Sequence, residues 1–582
     1  MATTAFNPRH LIAMAVSLAT AMTISIALPT TAQAQGTTSA EKHKLVDALF
    51  STWSGEATPG CAVAIESDGT IDYMRGYGIA NLEHAIPVSP DSIFGIGSIS
   101  KQFTAFSIGL LVNEGKLSFE DDVRKYVPEL PDYGKPITIA HLVHHTSGLR
   151  EHGYLLNLAG WRGDDVYTEA DVLQVLARQG RTNFEPGEES LYGNSAYELL
   201  RLVAQRASGK PMSAYAEEQI FKPLGMADTR FNVDHAQVVP KLAQGYHQRD
   251  GGWKRAPSNI DHYGSTGVLT TVRDLLKWQQ NLMDGRVGGL PLATWMQTSG
   301  RLNDGTETTY GGGLFIRNYR GLRTVSHDGL GGGYRASSVH FPDQRTKIVA
   351  LCNTQAAPAE ELTFKIADIY LGDRMKEPAF APAVRMPELE QSSLAGTYWS
   401  PKTDEIVRLE WREGALRQVG SPVAFVPIDR NVFRPGDARG QWRFILAEAN
   451  ATPELHIFDA WPTPRIFKRL ADPLPSDSAL SRYTGEYLSD EVETTFVVRV
   501  SDGKLKLAWP REYEIELEAV GGDRFNSSRG AVTFTRNEAG LIDGLTISSR
   551  RTRRFRADRV STVERAETPL AKQIPSLTGR TH

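Results

Sequence analysis

The chain is 582 residues long, with 41% hydrophobic and 23% charged residues and a formal net charge of −4. That length exceeds what one hydrophobic core fills, and at roughly 100 to 200 residues per domain it implies about three or four units. The composition excludes a collagen-like or disordered chain, and the charge gives no electrostatic case for nucleic acid as a partner.

At the N-terminus, Arg9 and His10 precede an apolar stretch from Leu11 to Leu28, and "AQA" at 32–34 supplies the small-x-small pattern that signal peptidase reads. Residues 1–34 therefore read as a cleavable signal peptide, with the mature chain starting near Gln35 and a periplasmic or secreted destination. A retained anchor helix is the alternative, disfavoured by the Ser and Thr content. No later segment is apolar enough to span a membrane, so no integral segment is expected after signal removal.

Residues 40–375 alternate apolar strands such as "CAVAI" and "SVHFP" with long helical patterns such as "AYELLRLVAQRAS". The two cysteines, Cys61 in "GCAVAIES" and Cys352 in "KIVALCNT", fall in β-like runs. Free Cys there behaves as a small hydrophobe, so two buried thiols are expected; a disulfide is the alternative, and it would need a Cα approach that spacing cannot show.

In "GIGSISKQF", Ser98 and Lys101 stand three apart at the start of an apolar-periodic run. On a helix those positions share a face. A desolvated lysine near other cations loses its proton readily and can take one from a serine. Ser-x-x-Lys is common by chance, so partners are needed. "HLVHHTSGLREH" carries His141, His144, His145 and His152, which helical spacing could offer to zinc; scaffold is the favoured reading. In "LYGNSAYELL", Tyr192 and Asn194 lie two apart behind a turn signal, a spacing that projects both to one side of an extended segment. In "VSHDGLGGGYR", His327, Asp328 and Gly329 follow a β-like segment, and glycine lets a substrate backbone approach closely. There is no phosphate loop, Cys-x-x-Cys pair or dinucleotide fingerprint, so no cofactor and no metal are implied.

"MKEPAFAPAVRMPELE" reads as a linker over 376–392, after which short alternating strands with Gly and Asp turns take over. "LAGTYWS" is repeated by "YTGEYLS": Gly396 and Gly485, Tyr398 and Tyr487, and Ser400 and Ser489 are each 89 positions apart (485 minus 396). Two copies of one all-β unit fit, most simply two small antiparallel barrels, filled or ligand-holding. The basic run "RRTRRFR" at 550–556 is expected along the solvated face of a strand.

Ser98-x-x-Lys101, Tyr192-x-Asn194 and His327-x-Gly329, in that order, resemble the three active-site motifs of the serine β-lactamase and penicillin-binding-protein superfamily, in its class C and D-aminopeptidase branch. "LVHHTSGL", "FEPG", "FKPLGMADT" and "GSTGVLTTVRDLLKW" are similar to that branch too, over about residues 40–372. The resemblance implies an α/β (α+β) catalytic domain, an antiparallel sheet flanked by helices plus an all-helical region, at 35–375. After the 376–392 linker it implies lipocalin-like β-barrels at 393–472 and 473–560 and a tail at 561–582.

It further implies acyl transfer, with Ser98 as nucleophile, Lys101 and Tyr192 handling its proton, and Asn194 and His327 positioning substrate and tuning Tyr192. Backbone N–H groups of Ser98 and of the strand after His327 would form the oxyanion hole. The third motif departs from the superfamily's common Lys-Thr-Gly, and an acidic Asp328 there would repel a carboxylate and suit an amine, unless strand alternation turns it away. A D-aminopeptidase-like peptidase or amidase on small peptides or amides is expected, with carboxylesterase, β-lactamase or D-Ala-D-Ala carboxypeptidase as alternatives and a ligand-binding protein as the non-enzyme reading. The substrate-binding set is Asn194, Asp328 and Gly329; a homodimer is left open.

Overall fold

A computed structural model describes residues 38–256, 259–376, 381–436, 441–445, 453–458, 463–471, 473–511 and 513–560. The expected signal peptide and C-terminal tail lie outside the described residues. The first unit is built on six antiparallel strands: β1 (Cys61–Ser67), β2 (Thr70–Tyr77), β3 (Phe315–Tyr319), β4 (Leu322–Gly331), β5 (Tyr334–Phe341) and β6 (Thr346–Cys352), in spatial order β3-β4-β5-β6-β1-β2.

β1 is buried from Cys61 to Glu66 because both faces of the sheet are covered. Cys61, Val63 and Ile65 face α1 (Ser39–Leu49) and α5 (Ala359–Leu371). Ala62 and Ala64 face the other layer, formed by α2 (Lys101–Asn113), α3 (Ser195–Ser208) and α4 (Val272–Asp284). α2 is buried nearly all round, its polar Lys101, Gln102, Thr104 and Ser107 included, as a helix packed on every side is. α4 starts where Thr271 accepts a hydrogen bond from Asp274 N and stops at Gly285 in the left-handed region.

β1 and β6 pair in a register that sets Cys61 opposite Cys352, with Cα atoms 4.0 Å apart and the sulfurs bonded. The expectation of two buried thiols is thereby overturned. The decisive fact is the pairing of strands 291 positions apart, which no local pattern reports.

The stretch read as a linker carries a short helix, Glu388–Ser392. Beyond it, eight antiparallel strands between 396 and 469 curl until the end strands meet through a bridge from Arg417 to Ala424, and eight strands between 485 and 559 close fully. The repeat has a structural meaning. Tyr398 and Tyr487 are both buried, and each hydroxyl donates to a carbonyl four residues back, Leu394 O at 2.8 Å and Tyr483 O at 2.7 Å. A Cβ at Gly396 would come 2.9 Å from Arg469 Nε, and one at Gly485 3.2 Å from Arg559 Nε. Buried Phe433, Phe444 and Phe467 fill the first barrel, and Phe496, Phe525 and Phe555 the second.

The second barrel shares one apolar cluster with the first unit. Its last hairpin, β7 (Ile542–Ser549) and β8 (Thr552–Arg559), turns at Arg550 and Arg551 against that unit. Asn183 Nδ2 and Glu151 N donate to Arg551 O at 3.0 and 3.2 Å. The fully buried Arg150 donates to Glu491 at 2.7 Å and to the carbonyls of Arg553 and Arg554. The basic run is a solvated strand face only in part: Arg550 and Arg554 are exposed, whereas Arg553 is buried in an ion pair with Glu189 across the domain interface. Among the described residues, no helix is long and apolar enough to cross a membrane.

Candidate active site

A 3₁₀ turn, Gly97–Ser100, delivers Ser98 to the N-terminus of α2. Gly97 is required there, since its φ is 51° and a Cβ would lie 2.6 Å from Leu330 N. Ser98 is half-buried at the floor of a cavity of about 430 Å³. Lys101, one turn on, is wholly buried. Its Nζ lies 3.0 Å from Ser98 Oγ, 2.8 Å from Asn194 Oδ1 and 2.8 Å from the Ser265 carbonyl. Burial pulls its pKa from 10.5 down to about 7; Glu151 and Glu198 oppose the fall and Arg551 adds to it.

The hydrogen-bond inventory then fixes what a neutral Lys101 does. A free amine has two N–H bonds and one lone pair. Asn194 Oδ1 and the Ser265 carbonyl can only accept. Both N–H bonds are spent on them, and the lone pair is left facing the Ser98 hydroxyl.

Asn194 is itself held from behind, its backbone N donating to Glu151 Oε2 at 2.8 Å and its Nδ2 to Oε1 at 3.2 Å. The Tyr192 ring lies 4.9 Å from Lys101 Nζ. Among the described residues its buried hydroxyl makes no well-formed hydrogen bond, and burial pushes its pKa up, with the nearby Ser98 hydroxyl opposing. Tyr192 therefore keeps its proton at neutral pH and holds it beside the nucleophile.

His327, on β4, has both ring nitrogens engaged within the protein. The Asp328 carbonyl, 2.6 Å from Nδ1, can only accept, so Nδ1 carries the proton and Nε2 accepts from the Tyr310 hydroxyl at 2.9 Å. Burial lowers its pKa to about 4, with Asp328 opposing. His327 is neutral, and its ring stands 5.9 Å from that of Tyr192.

Gly329 differs from the expectation: it does not open the strand to a substrate backbone. A Cβ there would fall 1.9 Å from the Ile96 carbonyl, so it is the nucleophile's own turn that approaches β4 closely. The four histidines of "HLVHHTSGLREH" are committed elsewhere. His141 caps Thr138 N, His144 Nδ1 meets the Tyr310 carbonyl, His145 packs on Tyr192 and Tyr310, and His152 meets Ser195.

Ser98, Tyr192, Asn194, His327 and Asp328 all line the one cavity. Asp328 reaches it, so strand alternation does not turn this acid away. Arg335, Arg550 and Arg551 line the same cavity, however, and Asp328 alone does not set its sign. Sequence reasoning missed these three, along with Glu151 and the Ser265 carbonyl. Arg335 comes from β5 across from Leu330, and Arg550 and Arg551 come from the second barrel, so only the tertiary fold brings them here.

Residues 46–371 match the family described as Beta-lactamase, more than half of the chain. The chain belongs to the beta-lactamase family. Among relatives of this beta-lactamase-family chain, penicillin-binding protein 4* of Bacillus subtilis is 29% identical over 54% of this chain and 72% of its own length. D-aminopeptidase of Gluconobacter oxydans is 26% identical over 65% of this chain and 70% of its own. A D-aminopeptidase of Cereibacter sphaeroides is 26% identical over 468 residues, 79% of this chain and 84% of its own, a span too long to be confined to residues 46–371. The octameric penicillin-binding protein homologue from Pyrococcus abyssi has the same fold, with a TM-score of 0.53 at 22% identity over 82% of this chain and 99% of that chain. Its family and its Ser-Lys pair make this chain a serine hydrolase.

Proposed function

We propose that this hydrolase is a D-aminopeptidase-like peptidase or amidase acting on small peptides or amides through an acyl-enzyme on Ser98. The observation that carries the reading is the placement of Lys101 Nζ, whose two acceptor-only neighbours leave its lone pair to Ser98 Oγ. Free-base Lys101 takes the Ser98 proton as Oγ attacks the substrate carbonyl carbon, a C–O bond forms, and the carbonyl π electrons move onto oxygen. The Ser98 N–H and the Leu330 N–H beside Gly97 are the donors offered to that oxyanion. On collapse the C–N bond breaks, and the proton reaches the leaving nitrogen through the Tyr192 hydroxyl. Water then attacks the ester carbon by the same route in reverse, releasing acid and restoring Ser98.

Asn194 and Glu151 orient Lys101, and His327 acts as a positioning residue that holds Tyr310 and the aromatic wall behind Tyr192. Asp328 offers a carboxylate to a substrate ammonium. The disulfide between Cys61 and Cys352 supports a protein exported to an oxidising compartment, periplasmic or extracellular.

Hydrolysis of D-alanyl and L-alanyl anilides, a short-chain ester and a chromogenic cephalosporin, beside Ser98→Ala, tests the reading. Preference for the D-alanyl anilide with an inactive variant supports it. Cleavage of the ester alone makes the protein an esterase, and cleavage of the cephalosporin alone makes it a β-lactamase. No turnover and no adduct on Ser98 make it a binding protein.

A further inference from the structure

Among the described residues, two of the three arginines in the catalytic cavity have no carboxylate at ion-pair distance. Arg335 lines the cavity half-buried, and its Nε is buried with no hydrogen-bond partner among the described residues. Arg551 stands with its guanidinium 5.1 Å from the centre of the Tyr192 ring. Among the described residues, neither has a carboxylate at ion-pair distance, whereas neighbouring Arg553 and Arg554 on the same hairpin are paired with Glu189 and Asp404. The hairpin tip is not loosely placed, because the Arg551 carbonyl is held by Asn183 and Glu151. Guanidinium groups that line a substrate cavity with no acid at ion-pair distance can hold an anion by bidentate hydrogen bonds.

The position of Arg551 says which side of the substrate the anion occupies. The leaving nitrogen must come within reach of the Tyr192 hydroxyl to collect its proton, so the leaving group lies on the Tyr192 side, and Arg551 covers that ring.

We propose that Arg551 and Arg335 select substrates whose leaving group carries an anionic group, a carboxylate or a phosphate, close to the scissile bond. The second barrel is then a specificity element, supplying through its terminal hairpin a cation that joins Arg335 of the catalytic unit. Together with Asp328, the cavity suits a short zwitterionic peptide, its ammonium on the acyl part and its carboxylate on the part released. This inference rests on the proposed acyl-transfer reading.

The test uses the full chain and matched D-alanyl anilides bearing a hydrogen, a carboxylate, a phosphonate or a trimethylammonium group on the ring, assayed on the alkaline side of the Lys101 titration. The anionic anilides should exceed the neutral one in kcat/KM by roughly tenfold or more, the ordinary strength of a hydrogen bond to a charged group, with the cationic one poorest. The carboxylate and phosphonate arms identify which anion fits. Arg551→Gln and Arg335→Gln should each collapse the anionic-to-neutral ratio, chiefly through KM of the anionic substrate, while Arg499→Gln, an exposed and paired arginine on the outside of the barrel, should leave the ratio as it was. Equal kcat/KM across the four anilides, or a ratio that survives in both cavity variants, overturns the proposal. Calorimetric binding of the carboxylated and neutral anilides to Ser98→Ala reads the same preference without turnover. If the wild type cleaves no anilide yet Ser98→Ala binds the carboxylated one more tightly, the reaction reading fails and the anion site stands; equal binding removes the anion site whatever the reaction.

Discussion

Replacing Lys101 by Met should abolish turnover and shift stability relative to the wild type by an amount that is most favourable to the variant near neutral pH and shrinks as pH rises. Lys101 is fully buried, and its pKa falls from 10.5 to about 7 on folding. The folded state therefore binds fewer protons than the unfolded one between those values, so the penalty for folding around this lysine is fully present below the folded pKa and is lost as pH rises through the unfolded pKa. At about 1.4 kcal/mol per pKa unit, that penalty is ~4 kcal/mol at pH 7 and falls to ~1 kcal/mol at pH 9.5. The substitution also strands the acceptors of Asn194 and Ser265, at about 1–3 kcal/mol each. That cost does not titrate in this range, so it shifts the whole difference without changing its slope. The assay is urea unfolding of wild type and Lys101→Met at both pH values: between them the wild type should gain ~3 kcal/mol relative to the variant. A stability difference that stays flat with pH would mean that Lys101 keeps an ordinary pKa, and its role as free base at neutral pH would fall with it.

For the wild type, kcat/KM should rise with pH through a midpoint near the Lys101 value of about 7 and then level off, since only the free base accepts the Ser98 proton; a profile flat from mildly acidic to alkaline pH contradicts this. Tyr192→Phe keeps the ring over Lys101 but removes the proton carrier, and should lower kcat by about 10²- to 10⁴-fold with little change in thermal midpoint. Reduction, or Cys352→Ser, should cost about 2–4 kcal/mol of stability by releasing a long loop in the unfolded chain, read as a lower urea midpoint. Gly329→Ala drives a methyl into the Ile96 carbonyl at 1.9 Å, and should displace the Ser98 turn and lose activity at temperatures where the fold persists.

The parts of the site that were legible in sequence are those whose chemistry is local or ordered along the chain. Ser98 and Lys101 sit one turn apart, so their shared face follows from helical geometry, and Tyr192 with Asn194 and His327 with Asp328 do line the same cavity. The barrel repeat was legible because each copy reuses one device, a buried tyrosine bonded four residues back beside a glycine facing an arginine. What escaped depended on contacts between distant segments. The Cys61–Cys352 bond needs the register of β1 against β6. Arg551 needs the docking of a hairpin more than 350 positions beyond Tyr192, and "RRTRRFR" gives no sign of which of its arginines are buried, paired or turned toward the cavity. Gly329 was placed on the right strand but credited to substrate approach, because the sequence does not show that the Ile96 carbonyl occupies the space a side chain would take.

The central claim is that Ser98 forms the covalent intermediate with Lys101 as its base, and intact-mass measurement of the protein quenched during turnover of a slowly deacylating ester tests it most directly. The account predicts a single acyl adduct, mapped to the peptide containing Ser98, absent in Ser98→Ala, and forming in wild type at a rate that rises with pH toward a plateau above the Lys101 midpoint. An adduct on another residue, or turnover that persists undiminished in Ser98→Ala, would contradict it.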